Sequence, residues 1–203
     1  MSDNPFDVYL FDDRMHAWRN LRTGRTVATA TVQAEIQTHI DAGKAVIDQL
    51  TQQLLSGDLT IDQWKLAVAG ELKDMHGAFA MLGAGGRDNM TQAMWGEVGS
   101  RLKQEYIYLN NFAKEIEAGK LSEGQILARL KMYTNDAYGS FADAERTLNM
   151  NNGMTEERAV LTGSNHCPDC EYRAGQGWQP IGTLPDIGDT QCGSNDRCYF
   201  EYR

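Results

Sequence analysis

The side chains best suited to chemistry are four cysteines near the end of the chain. The 203-residue sequence has no cysteine before residue 167. The four are Cys167, Cys170, Cys192 and Cys198. Two cysteines separated by two residues can reach one metal ion from a tight turn, and structural zinc is held by four ligands of this kind. We therefore predict a structural Zn²⁺ site on these four residues. The second pair is more widely spaced than a usual zinc knuckle, so His166 and Asp196 are further candidate ligands.

Two disulfides, or thiols that stay free, are the alternatives to a metal at this position. The start of the chain, residues 1–6, lacks the basic and then apolar order of a secretory signal. This predicts a reducing cytoplasm, in which closely spaced cysteines bind metal more often than they form disulfides. A redox-active pair is disfavoured because thioredoxin-type motifs lie in a βαβ context, which a helical chain does not offer.

No second set of side chains in the sequence competes as a catalytic centre. His16, His39 and His76 are scattered, and a lone histidine near an apolar helix face usually serves packing. The glycine-rich stretch 82–91 lacks the lysine and the following Ser or Thr of a phosphate-binding loop. We therefore expect that the chain is not an enzyme and takes no small-molecule substrate. The rival is a thiol-dependent enzyme, which rapid alkylation of Cys167 at neutral pH would reveal.

The middle of the chain has the pattern of long helices. No proline lies between Pro5 and Pro168, and apolar residues recur at steps of three and four. The predicted helices are 31–55, 61–82, 92–117 and 123–149. The joints at 56–60 and 118–122 are alike, each with a glycine suited to a left-handed turn and a Thr or Ser suited to capping the next helix. The pattern predicts two similar helical hairpins.

The beginning of the chain, residues 1–30, has a different character. A strand at 6–11 is predicted to turn at Asp12 and Asp13 and to pair back with 18–27. The result is an extended arm. Its arginines offset its aspartates, so its net charge does not favour docking on an acidic partner. The tryptophan of the arm must pack either on the bundle or on a neighbouring subunit.

The end of the chain, residues 151–203, is predicted to be a small module. It would contain a capped helix start near 155–162 and a final aromatic strand at 199–203. The segment 175–185, rich in Gly and Pro, is expected to cover the cysteine cross-link. The fold class is therefore mainly α, a bundle of about four long helices in helical hairpins. Its three parts are the arm at 1–30, the helical bundle at 31–150 and an irregular or β module stapled by cysteine at 151–203.

Composition excludes several classes of partner. The formal net charge is −9 and the pI is about 4.9, whereas duplex binding needs dense Lys and Arg. Residues 163–203 carry three arginines against six acidic residues, which disfavours a zinc-ribbon regulatory or nucleic-acid-binding module. No apolar run approaches the ~20 residues that a transmembrane helix requires. We expect neither nucleic acid nor a membrane as a partner, and the acidic surface suits contact with other proteins.

Several segments together carry a family resemblance. The strongest are in the tail, and weaker ones lie in the middle and in the arm. They are Met154–Arg158, His166–Cys170, Gly177–Pro185, Cys192, Arg197–Cys198, Tyr202–Arg203, Trp95–Gly99, Gln104–Ala113 and Trp18–Arg25. In these segments the chain resembles tailed-phage minor head proteins, the Mu-type head morphogenesis proteins and their short relatives. Members of this group often have a further cysteine between the last two, where this chain has Asp196.

The resemblance implies a virion structural protein without enzymatic activity. Such a protein lies near the portal or on the capsid, acts in head assembly through protein–protein contacts, and is assembled in the cytoplasm of the bacterial host. Its partners would be the portal, the capsid or neighbouring copies of itself in an oligomer. The alternative within the same particle is a head–tail connector or capsid cement protein whose tail is stapled by disulfides.

Overall fold

The structure is a computed structural model that describes residues 8–12, 14–15, 17–163 and 166–203. Four long helices dominate it, as the sequence predicts. They are α1 (Thr29–Ser56), α2 (Ile61–Gly83), α3 (Gln92–Glu117) and α4 (Glu123–Asn151). Their ends lie within two residues of the predicted ones. A short 3₁₀ turn at Arg87–Asn89 precedes α3. No helix in the described ranges combines the length and the apolar character that a membrane span requires.

The joints of the two hairpins confirm the predicted turn chemistry. Gly57 and Gly119 adopt left-handed φ values of 85° and 65°, which a residue without Cβ reaches at little cost. Thr60 and Ser122 then cap α2 and α4, because each hydroxyl accepts a hydrogen bond from the backbone N–H three residues on. Each cap is completed by a glutamine side chain that accepts from the backbone N–H of the capping residue. The two hairpins are therefore built in the same way.

Helices α2 and α4 approach each other closely at Gly83. Gly83 lies so near the backbone of Phe141 that an added Cβ would come within 2.1 Å of its carbonyl oxygen. We therefore expect Gly83→Ala to lower the free energy of unfolding by about 1–3 kcal/mol, because the two helices must move apart. Gly70→Ala in the same helix meets nothing within 4 Å. It should instead stabilise the fold by about 0.5–1 kcal/mol. Urea denaturation of both variants measures the difference, and equal effects would contradict this packing.

The predicted arm is a three-stranded antiparallel sheet that packs on the bundle. Its strands are β1 (Tyr9–Asp12), β2 (Ala17–Asn20) and β3 (Thr26–Val27), in the order β1-β2-β3. Trp18 is 2% exposed. Its ring meets Phe11 edge-on and stacks on Phe141 of α4. The tryptophan therefore packs on the chain's own bundle. The predicted strand residues 6–7, the turn residue Asp13 and His16 lie outside the described residues.

The C-terminal module is a second small sheet with one short helix. Its elements are β4 (Glu156–Val160), α5 (Pro168–Gly175), β5 (Gln179–Pro180) and β6 (Tyr199–Tyr202), with a 3₁₀ turn at Gly193–Asn195. The strand order is β5-β4-β6, and both pairings are antiparallel. The final aromatic strand is confirmed in β6. The module shares a hydrophobic core with α1, α2, α4 and the N-terminal sheet.

The predicted helix at 155–162 is wrong, because this segment forms β4. Burial alternates along the strand, so that Glu157 and Ala159 face inward while Arg158 faces solvent. Glutamate is rarely fully buried, and for that reason the acidic start resembled the first turn of a surface helix. The alternation of apolar and polar residues that is typical of a strand is hidden here, because the charged residue Glu157 occupies an inward-facing position.

Candidate metal centre

The four cysteines converge on one place in the C-terminal module. Cys167 immediately precedes α5 and Cys170 lies in its first turn, while Cys192 and Cys198 flank the 3₁₀ turn that leads to β6. The Sγ atom of Cys170 is 3.4 Å from that of Cys167 and 3.6 Å from that of Cys192. It also belongs to a second group with Cys198 and Asp196, whose ligand atoms all lie within 4.8 Å of one another. Cys170 is therefore the common member of the two groups.

The spacing of the sulfur atoms suits a shared metal ion. A disulfide requires its sulfurs to be about 2.05 Å apart, and all four thiols are free. Four thiolates at about 2.3 Å from a tetrahedral zinc ion lie about 3.8 Å from one another. The observed separations of 3.4 and 3.6 Å are close to that value. Three close cysteines could thus hold a metal ion, with Cys198 adjoining them through Cys170.

The three close thiols differ in pKa. Burial raises the pKa of Cys167, but hydrogen bonds with Cys192 and Cys170 outweigh this effect and lower its pKa to about 6. Burial raises the pKa of Cys170 to about 11, and the hydrogen bond to Cys167 raises the pKa of Cys192 to about 11. Within the cluster, Cys167 is therefore the thiol whose deprotonation the hydrogen bonds favour. Binding of a metal must release the remaining protons, so metal affinity falls as the pH is lowered.

Asp196 holds the ligand loop, because both of its carboxylate oxygens accept hydrogen bonds from the surrounding chain. It is 2% exposed, and so is deeply buried beside the sulfurs. Its Oδ2 accepts hydrogen bonds from Arg173 Nη2 at 2.8 Å and from Thr190 Oγ1 at 3.3 Å. Its Oδ1 accepts from the backbone N–H of Cys198 at 3.1 Å. Arg173 is 1% exposed, so the two residues form a buried ion pair that fixes the chain on both sides of the cysteines.

The other candidate ligand, His166, lines a cavity beside the cysteines. This cavity has a volume of about 240 Å³ and is also lined by Cys170, Cys192 and Cys198. Among the described residues, His166 does not join either group of cysteine ligand atoms. Among the described residues, Cys167, Cys170 and Cys192 are therefore the cysteines that the structure brings together as possible ligands of one ion.

A buried ion pair that was not predicted from the sequence holds the segment 182–186. Arg146 of α4 donates from Nε to Glu157 Oε2 at 2.8 Å, and the Glu157 side chain is fully buried. Glu157 Oε1 accepts from the backbone N–H groups of Gly182 and Leu184 at 3.0 and 3.2 Å. Arg146 also pairs with Asp186. This network fixes the segment 182–186 against the bundle, and no short sequence pattern indicates it, because Arg146 and Glu157 lie on different elements.

The segment 175–185 was predicted to cover the cysteines, and one part of this prediction is confirmed. Leu184 is 3% exposed and packs in the same core as Cys170 and Cys198. Trp178 lies instead beneath the guanidinium groups of Arg158 and Arg203, at 4.9 and 4.4 Å from its ring centre. Chemically, the arrangement is a set of sulfur ligands surrounded by buried ion pairs and apolar side chains, which suits a structural metal.

Comparison of the chain with protein-family models, with curated proteins and with solved structures finds no match in any of the three.

Proposed function

We propose that the chain is a virion structural protein of a tailed phage, with a zinc-stapled C-terminal module. In this proposal Cys167, Cys170, Cys192 and Cys198 hold one Zn²⁺, which gives the module its shape. The observation that carries the zinc assignment is the convergence of the four cysteines around Cys170, at separations that fit a metal and not a disulfide. The phage assignment rests on the resemblance of the tail motifs.

The edge of the C-terminal sheet supports a role in assembly. β6 pairs with β4 on one side and lies at the edge of the three-stranded sheet. An edge strand can accept a further strand from another chain, because its outer backbone groups are not used within the sheet. In the proposal β6 contacts the portal, the capsid or a neighbouring copy in an oligomer. The chain then acts through protein contacts and catalyses no reaction.

The zinc assignment is tested by metal analysis of the full chain purified under reducing conditions. We expect one zinc per chain, and we expect chelation to remove the zinc together with the order of residues 151–203, measured by limited proteolysis. The helices α1 to α4 should resist the same protease treatment, because their core contains many residues outside the module. A zinc-free protein whose tail resists both chelator and protease would overturn the assignment and favour the disulfide alternative.

The phage assignment is tested separately, by mass spectrometry of purified particles from a lysogen that encodes the chain. We expect the chain in particles, and we expect it to co-elute with a portal or capsid protein when the two are expressed together. A matched chain truncated before β6, at residue 198, should lose co-elution if the edge strand makes the contact. Absence from particles and no co-assembly with either protein would contradict the proposal, whatever the zinc content.

A further inference from the structure

A second group of ligand-type side chains lies inside the helical bundle. It comprises His76 of α2, Glu105 of α3 and Asp136 of α4, and their ligand atoms all lie within 4.8 Å of one another. His76 is 0% and Glu105 is 5% exposed, whereas the Asp136 side chain is 30% exposed. Three different helices therefore bring one imidazole and two carboxylates to one point, which opens to solvent on the side of Asp136.

The hydrogen bond at Nδ1 of His76 is compatible with a form of the ring in which Nε2 is free to bind a metal. Nδ1 of His76 is 2.7 Å from the hydroxyl oxygen of Ser140, which is 2% exposed. When Nδ1–H donates to this hydroxyl, Nε2 carries a lone pair. Metal-binding histidines are commonly held in this way, by a hydrogen bond from the nitrogen that does not bind the metal. Ser140 thus fixes the orientation of the ring, and the tautomer with its proton on Nδ1 leaves Nε2 free to bind a metal.

Glu105 is buried with His76 as its one close partner. Its Oε2 lies 3.0 Å from His76 Nε2, and Oε1 has no donor among the described residues. An ionised carboxylate in such a place is costly unless a cation or a donor neutralises it. A distance of 3.0 Å also fits two adjacent ligands of one ion, since ligand atoms at about 2.1 Å and at right angles are about 3.0 Å apart.

The surroundings leave a negative charge at this point for a cation to balance. Glu105 and Asp136 line a cavity of about 460 Å³. Arg101, which lines the same cavity, is held by a two-pronged ion pair with Asp143 at 2.6 and 3.1 Å. It also forms a longer ion pair with Asp136 at 3.8 Å. Arg101 is therefore shared between Asp143 and Asp136, so it offsets the charge of Asp136 only in part and forms no ion pair with Glu105 among the described residues.

We propose that His76 Nε2, Glu105 and Asp136 bind a divalent transition-metal ion. The mixed nitrogen and oxygen ligands suit Zn²⁺, Mn²⁺ or Fe²⁺ and differ from the all-sulfur set of the C-terminal module. A 2+ ion balances the two carboxylates. Three protein ligands leave coordination positions that face the cavity, where water or an oxygen-bearing ligand completes the shell. The site is independent of the phage role proposed above.

The test uses Co²⁺, which replaces these ions and reports on its ligands by absorption. The full chain, reduced and supplied with one equivalent of Zn²⁺ for the cysteines, is titrated with Co²⁺. We expect one further Co²⁺ per chain, with d–d bands but without the sulfur-to-metal charge-transfer band of a thiolate site. Glu105→Gln should weaken binding by more than about 100-fold, because loss of a direct ligand exceeds the 10–100-fold effect of an outer partner.

Two further variants keep the test decisive. Asp136→Asn, at the partly exposed edge of the group, should also weaken binding and serves if Glu105→Gln fails to fold. Glu117→Gln, an exposed carboxylate at the end of the same helix α3, should leave binding unchanged. Absence of the second Co²⁺, binding only with a thiolate band, or equal binding in wild type and in both ligand variants would each overturn the proposal. The group would then be a buried His76–Glu105 ion pair without a metal.

Discussion

Cys170→Ser is expected to abolish zinc binding and to unfold the C-terminal module while the four helices stay folded. Cys170 is 1% exposed, and its sulfur is the only one shared by the two groups of ligand atoms found among the described residues. Its loss breaks both groups at once. Mutation of a residue that hydrogen-bonds to a metal ligand typically lowers metal affinity 10–100-fold. Loss of the central ligand itself should therefore weaken zinc binding by more than about 100-fold. The module then loses the free energy that the metal adds to folding.

The measurement is zinc affinity by competition with a chromophoric chelator, combined with protease sensitivity of residues 151–203. Glu171→Gln, an exposed change in the same helix α5, is the matched control and should behave like wild type. Because the thiols must lose protons to bind zinc, the wild-type affinity should fall as the pH is lowered. A Cys170→Ser chain that retains one tightly bound zinc and a protease-resistant tail would refute the four-cysteine site.

Arg146→Met is expected to lower the free energy of unfolding by about 3–5 kcal/mol, because it leaves Glu157 buried without its partner. The Glu157 side chain is 0% exposed and that of Arg146 is 11% exposed. Methionine fills a similar volume, so the loss reports on the uncompensated charge more than on a cavity. The change also frees the segment 182–186, which Arg146 and Glu157 hold together.

Two further variants show whether the loss of stability comes from a buried unpaired charge or simply from the loss of an ion pair. They are a change at an exposed arginine and a double variant. Arg158 pairs with Glu201 at 2.6 Å, but these side chains are 45% and 38% exposed. Arg158→Met should therefore cost less than about 1 kcal/mol. The double variant Arg146→Met with Glu157→Gln should lose less than Arg146→Met alone, because no ionised group is left buried. Urea denaturation measures all three, and equal losses for Arg146→Met and Arg158→Met would contradict the buried pair.

The four helices were predictable from the sequence because their signals are local. Apolar residues at helical spacing, capping residues such as Thr60 and left-handed glycines such as Gly57 act within a few positions. The strand β4 was not predictable, because its pattern depends on Arg146 of α4, which neutralises the buried Glu157. Partners of this kind come together only in the folded chain.

The two candidate metal sites also differ in how far the sequence predicts them. The cysteines were found from residue type and spacing, although the sequence offered Asp196 as a possible ligand and the structure uses it to hold Arg173. His76 was predicted to serve packing, and it is indeed fully buried. Its neighbours Glu105 and Asp136 lie on other helices, so no short motif announces the group. Only the packing of α2, α3 and α4 reveals it.

The N-terminal sheet and the C-terminal module both contact the same helix, α4. The Tyr138 hydroxyl of α4 donates to the carbonyl of Cys198 at 3.2 Å, and the Tyr138 ring stacks on Phe141. Phe141 in turn stacks on Trp18 of the N-terminal sheet. A pulling force applied between the N-terminal sheet and β6 therefore acts across the middle of α4, perpendicular to the helix axis. We expect the chain to bear such tension as a single unit, without peeling away either terminal sheet first.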